Sequence, residues 1–368
     1  MDHFRWFFNT SSRFEDMSPN LARLIGILLI GSMVWGAVRY KDIHTNDETV
    51  VKENQEQDKG DLNLYKAIVK RIQAGESYYS AVNVELKERH YARKPFWNWR
   101  LPTLACLLGK FPSIYVAYCL FIGMAILELC LWWNYWLKNE GIINAKIGVL
   151  LLLPTVFGCF NISGLYFHEF WAGNLISLSI AALGNRYFRL SLFFAIGAVF
   201  FRELALLYVF ILILNFFRTK QYLYCSWGCL GVLLFGLYLW IHYLQVCPYY
   251  SDQELTNRWV AFNGWIFVLS TVQFSGWFLI SPNYVTLVLV PVSILGIIGY
   301  RSTISFLLST TILIYVFFFM IVGRMDNIYW GMLYAPIFST GLLYSPAAMK
   351  AWYKKSFQFT ERTEKKIS

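Results

Sequence analysis

Four short stretches hold the residues in this chain best placed for acid–base or anion chemistry. "DLNLYKAIVKRIQAG" opens on Asp61. "YFHEFWAGN" sets His168 beside Glu169, "FFRELALL" sets Arg202 beside Glu203, and "VGRMDNIYWG" sets Arg324 two residues before Asp326. A carboxylate accepts protons, a guanidinium holds anions, and an imidazole does either according to its protonation state. The same side chains also serve as plain ion pairs at helix ends. Three of the stretches interrupt strongly apolar sequence, where a charge is costly unless it lines a polar cavity or meets a partner. Asp61 differs. It heads an amphipathic pattern, where helix amides favour a carboxylate and where an acid also serves as an N-cap.

The elements that position these residues follow from composition. The chain has 368 residues, is 57% hydrophobic and 19% aromatic, and only 15% are charged, against about 25% charged in soluble domains. Its long apolar runs do not alternate with polar residues, so they read as helices and not as barrel strands. The runs predict ten membrane spans near 21–39, 112–137, 144–160, 170–185, 187–201, 203–217, 224–245, 277–299, 303–322 and 331–348. Arg202 and Glu203 fall between the fifth and sixth and predict a hairpin tip. The expected fold is an all-α polytopic membrane domain over 21–348, with a cytoplasmic segment at 1–20, a basic cytoplasmic tail at 349–368, and a large first outer loop at about 40–111.

Charge sets the expected orientation. In this topology the short loops on one side hold only Arg202, Arg258 and Arg324, while cations crowd the other side and both ends. Basic residues mark the cytoplasmic side, so the net charge of +10 points to topology and not to nucleic acid. The four stretches then all face the non-cytoplasmic compartment. The seven cysteines are scattered. Cys225 and Cys229 lie one helical turn apart without a second pair or a histidine, so no metal or other cofactor is expected. Glu128 and His242 stand alone in or near spans and are expected to satisfy a neighbour.

The first outer loop is the largest polar segment. Its tract Asp42–Lys59 reads as a flexible lead-in. After Asp61, the residues Leu62, Tyr65, Ile68, Val69 and Ile72 recur at helical spacing, and Gly75 is placed to end the helix. Such a helix is expected to lie on the outer membrane surface. The following stretch "ELKERHYARKPFWNWRLPTLACLLGKFP" is broken by Pro95 and Pro102. It carries Trp97 and Trp99 as interfacial anchors, and Lys87, Arg89, Arg93, Lys94 and Arg100 face lipid phosphates. Arg100 stands closest to the next apolar run.

This arrangement resembles the GT-C superfamily of integral membrane glycosyltransferases: one span, a large outer loop with an acid heading an amphipathic helix, then many spans with short central hairpins. "DLNLYKAIVKRIQAGESYY" is similar to the "DLxVYxxAxxxxxxGxxxY" opening of bacterial polyprenol-phosphate-mannose-dependent mannosyltransferases. "HEFWAGNLISLSIAAL" with "RYFRLSLFFAIGAVFFRELALLYVFILILNFF" resembles their central hairpins. The motif covers about twenty residues, while the architectural likeness extends over most of the chain.

The resemblance implies that Asp61 is the general base and that the donor is a polyprenyl-phosphate sugar. The expected reaction moves a hexose, mannose being the family's sugar, to a lipid or glycan acceptor with inversion at the non-cytoplasmic face. Arg100, Arg202 and Arg324 are then candidates to hold the leaving phosphate. Tyr65, His168, Glu169, Glu203 and Asp326 complete the expected substrate site. Many members carry paired acids in the first loop. Here Lys59-Gly60 precedes a single acid, which favours the lipid-phosphate-hexose branch. Two alternatives stay open: a transporter or flippase, against which stands the lack of an internal repeat, and a polysaccharide polymerase or ligase, whose large outer loop usually comes late in the chain.

Overall fold

The computed structural model describes residues 11–39, 60–157, 161–250 and 260–367. The tract Asp42–Lys59, read as a lead-in, lies outside them. Within the described residues the chain is helical throughout, and the extended pairings are two isolated bridges, Ser12–Tyr300 and Val260–Val322. The helices, in order, are α1 (Pro19–Val38), α2 (Asp61–Gln73), α3 (Tyr78–Glu88), α4 (Pro102–Lys110), α5 (Ile114–Asn139), α6 (Ile142–Phe157), α7 (His168–Gly184), α8 (Phe188–Phe201), α9 (Leu206–Arg218), α10 (Tyr222–Val246), α11 (Gly264–Gln273), α12 (Asn283–Gly299), α13 (Ser305–Ile321) and α14 (Gly341–Ile367). Three of them, α1, α5 and α10 with its extension to Tyr249, are long and apolar enough to cross a membrane. All three turn broad apolar faces outward, including Leu24, Ile27 and Leu28 on α1 and Leu233, Leu237 and Trp240 on α10.

The expected break at Arg202-Glu203 is present. α8 ends at Phe201, Arg202 has extended backbone, and a short 3-10 turn leads into α9. Three regions differ from the reading of the sequence. One is 277–299, expected as a single span: a four-residue helix at Gly276–Leu279 is followed by a break through Pro282 before α12 starts at Asn283. Residues 246–276, expected as a loop, contain α11, which is buried along its whole length from Trp265 to Val272. It is as apolar as the longer helices, but at ten residues it is too short to read as a span. Residues 331–348 are not one helix. A 3-10 segment at Met325–Leu333 is followed by a four-residue helix at Ala335–Phe338, and α14 starts only at Gly341. The average apolarity of this stretch hides its breaks.

The loop between α1 and α5 folds as a helical cap. Gly75, with φ +96, closes α2 as expected. The buried face of α2 is Leu64, Tyr65, Ile68 and Val69, rotated from the expected one so that Leu64 replaces Leu62. It packs on α4 and on the 3-10 turn at Ile162–Tyr166. The apolar stripe expected to face lipid is thus largely covered by protein. Trp99 is likewise buried, donating Nε1–H to Arg93 O, while Trp97 remains exposed. Of the cations expected to face lipid phosphates, Lys87 is exposed, while three others have protein contacts: Arg89 on Glu85, Arg93 on Asn83, and Lys94 over the Tyr250 ring.

His242 of α10 anchors this cap. Its Nε2 lies 3.0 Å from Trp99 O and its Nδ1 3.1 Å from the Tyr79 hydroxyl. Since Trp99 O only accepts, Nε2 carries the proton and Nδ1 accepts from Tyr79. Glu128 is met by the Ser177 hydroxyl at 2.5 Å. Both isolated polar residues therefore do satisfy neighbours. On the far side of the site, α7 packs closely on the 3-10 segment at Met325–Leu333: a Cβ on Gly173 would stand 1.9 Å from Met332 O. That approach brings the turns at 168 and 324–330 together.

Candidate functional site

Asp61 is the first residue of α2, and Gly60 occupies the N-cap position without a side-chain cap. The carboxylate therefore does not serve as the N-cap, and it turns to other elements. Its Oδ1 accepts from the Tyr91 hydroxyl at 2.9 Å, and its Oδ2 accepts from the Tyr329 hydroxyl at 2.6 Å. Tyr91 follows α3 at a tight turn where His90 adopts φ +57 and Tyr91 N–H bonds Leu86 O. Tyr329 comes from the 3-10 segment between α13 and α14. Burial, then the negative charge of Asp61, pushes both phenols well above their ordinary pKa. They stay protonated and act as donors.

Arg100 lies at the start of α4's lead-in. Its Nε donates to the Tyr65 hydroxyl at 3.0 Å, and a terminal nitrogen donates to the Tyr329 hydroxyl, also at 3.0 Å. Tyr329 thus stands between base and guanidinium, accepting from Arg100 and donating to Asp61. The Asn327 Oδ1 also lies 3.0 Å from this hydroxyl. A phenol has one proton, and the shorter contact to the charged carboxylate takes it. Tyr65 is one turn of α2 beyond Asp61. Burial, opposed by Arg100, pushes its phenol up to about 12.

The next layer is a buried ion cluster. Arg202, 1% exposed, places Nε 2.8 Å from Glu169 Oε1 and another nitrogen 2.5 Å from Glu203 Oε1. The Glu169 contact is close but off the N–H direction, so it is an ion pair and not an aligned hydrogen bond. The guanidinium also lies 5.3 Å from the Trp330 ring centre. Glu169 sits in the first turn of α7, where helix amides favour its charge. His168 heads the same helix, is buried, and packs edge-on against Tyr65 at 5.3 Å. Its ring nitrogens lack partners in good geometry, with the Leu101 backbone close by.

Arg324 and Asp326 stand apart from this core. They pair with each other at 2.7 Å, and both are substantially exposed. Asp326 reaches the rest through Asn327, whose Nδ2 lies 3.3 Å from its Oδ1. Burial, then the charge of Asp61, raises the Asp326 pKa against the pull of Arg324. The four stretches therefore meet at one end of the bundle. They are joined by direct contacts. The gap between α2, α3 and α4 that Tyr65, Arg100 and His168 line is narrow, about 20 Å³, which is room for roughly one water.

Three residues at this site were not singled out from the sequence: Tyr91, Tyr329 and Trp330. All three lie in stretches that were quoted, but an aromatic ring in a membrane protein gives no local signal that it will bond a carboxylate or cover a guanidinium. Three ring residues and the four charged stretches are thus brought together by the fold. Among the described residues no group of three or more His, Cys, Asp or Glu side chains is arranged to hold a metal ion. No protein-family model, curated protein or solved structure matches the chain.

Proposed function

We propose that this chain is an integral membrane glycosyltransferase that uses a polyprenyl-phosphate hexose, with Asp61 as general base and Arg100 as the ligand of the leaving phosphate. The observation that carries this reading is the Asp61–Tyr329–Arg100 bridge. A carboxylate and a guanidinium left to themselves in a partly buried site pair and cancel. Here one phenol holds them apart, so the two charges do not pair with each other. Asp61 accepts two hydrogen bonds and a carboxylate has about four lone-pair sites, leaving room for an acceptor hydroxyl.

In the proposed step the acceptor oxygen attacks the anomeric carbon as its proton passes to Asp61. The bond from that carbon to the phosphate oxygen breaks, and the charge gathered on the phosphate is met by Arg100. A positioned base contributes about 10²–10⁴-fold. One displacement inverts the anomeric centre. Arg202 is the weaker phosphate ligand because two carboxylates already neutralise it, and Arg324 is paired and exposed. Glu169 and Glu203, held by Arg202, and His168 remain as groups for sugar hydroxyls.

The topology belonging to this reading has about ten crossings: α1, α5–α10, α12, α13 and the segment from 335 into α14. Both ends lie in the cytoplasm, and the cap of α2–α4 lies outside. α8 and α9, at 14 and 13 residues, are shorter than the ~20 needed to cross the hydrocarbon. Their junction at Arg202 then lies below the membrane surface, where a lipid-linked donor carries its phosphate. The resemblance to mannosyltransferases suggests mannose as the hexose. Asp61→Asn is expected to leave a folded protein whose transfer from polyprenyl-phosphate mannose falls at least a hundredfold. Activity within a few-fold of wild type in the purified variant would remove Asp61 as the base.

A further inference from the structure

The end of the bundle opposite Asp61 holds a second polar site. α5 runs for 26 residues, about 39 Å at 1.5 Å per residue, away from the cap. At its far end Asn139 and Glu140 meet the turn after α12, the residues before α1, and Tyr344 of α14. They line an open cavity of about 390 Å³, many times the roughly 10–15 Å³ that admits one water.

The lining sorts into two halves. Glu140 forms the acidic half. Its oxygens accept from the Tyr300 hydroxyl and from Asn144 Nδ2, both neutral donors, and no basic side chain pairs with it among the described residues. Burial raises its pKa, and an ammonium beside it would favour its charged form. The stacked rings of Tyr300 and Tyr344, 3.6 Å apart, back this half with apolar surface. Arg301 forms the basic half, with the hydroxyls of Ser302 and Thr303 beside it. Its partner is Asp16. Both side chains are exposed, at 46% and 63%, and such a pair opens at little cost.

We propose that this cavity binds a phosphate that carries a primary ammonium, the phosphoethanolamine headgroup, with the ammonium on Glu140 and the phosphate on Arg301 and the adjacent hydroxyls. A simple anion would meet Glu140 unfavourably. A simple amine would leave Arg301 unused. A trimethylated ammonium would forfeit the hydrogen bonds that a carboxylate accepts.

The test is lipid retention by the full-length protein. The protein is reconstituted with equal amounts of phosphatidylethanolamine, phosphatidylglycerol and phosphatidylcholine, and the lipids kept after detergent extraction are counted by native mass spectrometry. The expected result is severalfold enrichment of phosphatidylethanolamine. Glu140→Gln is expected to abolish that preference, and Arg301→Ala to lower retention of every phospholipid. Should Glu140→Gln fail to fold, Arg301→Ala alone decides, since it alters only an exposed pair. Soluble phosphoethanolamine then separates the sources. Displacement at millimolar concentration assigns recognition to the headgroup alone, and no displacement assigns it to the intact lipid; both uphold the site. Equal retention of the three lipids, or retention unchanged in Arg301→Ala, overturns the proposal.

Discussion

Tyr329 contributes a single hydroxyl, yet it contacts both charged groups of the proposed chemistry. Tyr329→Phe keeps the ring packing and removes only the bridge. A hydrogen bond to a charged group is worth about 1.5–3 kcal/mol, so kcat is expected to fall by roughly ten- to a hundredfold, while the unfolding temperature stays close to wild type. Transfer assays on the purified variant measure this, and an unchanged kcat would show that the bridge is only structural. Arg202 predicts a different signature. Its removal leaves Glu169, 0% exposed, as an uncompensated buried charge, a loss of about 3–5 kcal/mol in stability. Arg324→Ala breaks an exposed pair and is expected to cost no more than ~1 kcal/mol. Thermal unfolding in detergent should rank the two variants in that order, and Glu169→Gln added to Arg202→Ala should recover part of the loss.

The cap depends on how α2 and α3 are held to each other. Glu85 of α3 is the hub, 2.5 Å from Arg71 of α2 and 3.0 Å from Arg89. Burial pushes its carboxyl up, but the hydrogen bonds from Arg71 and Arg89 outweigh this, and the net pKa lies below the ordinary glutamate value of 4.5. A carboxyl with a lowered folded-state pKa stabilises fully above its unfolded value and loses that contribution as pH falls through the folded one. Amide exchange across 61–88 is therefore expected to be flat from pH 7 to about 5, corrected for intrinsic rates, and to rise as the pH drops below 4.5. Glu85→Gln should remove the acid-dependent step. Exchange in wild type that shows no such step would mean that other contacts hold the two helices.

The arrangement of the whole chain gives the orientation test. In the proposed topology the turn after α2 lies outside and the turn between α9 and α10 lies inside. Ala74 and Lys220 are both exposed. In a background freed of native cysteines, Ala74→Cys is expected to react with a membrane-impermeant maleimide in intact cells, and Lys220→Cys only after lysis. The reverse pattern would put the cap, and with it the Asp61 site, in the cytoplasm, where a lipid-phosphate sugar donor presented outside could not reach it.

The sequence alone determined the class of the molecule and the places where its charges fall. Apolar content and run length are sums over neighbouring residues, so helical membrane character, the break at Arg202 and the stop at Gly75 follow from short stretches. Asp61 stood out because a lone acid at the head of an amphipathic helix is a local pattern too. Tertiary structure decided the rest. Tyr329 reaches Asp61 across 268 positions, and no local property of "MDNIYWG" announces that bond. Whether Arg100 or Arg202 stays available to an anion depends on which carboxylates fold against each. Trp99 is buried, with its Nε1–H on Arg93 O and its ring against Tyr249, while Trp97 two residues away is exposed. Hydropathy averages over such choices, since every candidate surface in this chain is apolar and only packing selects the one that is covered.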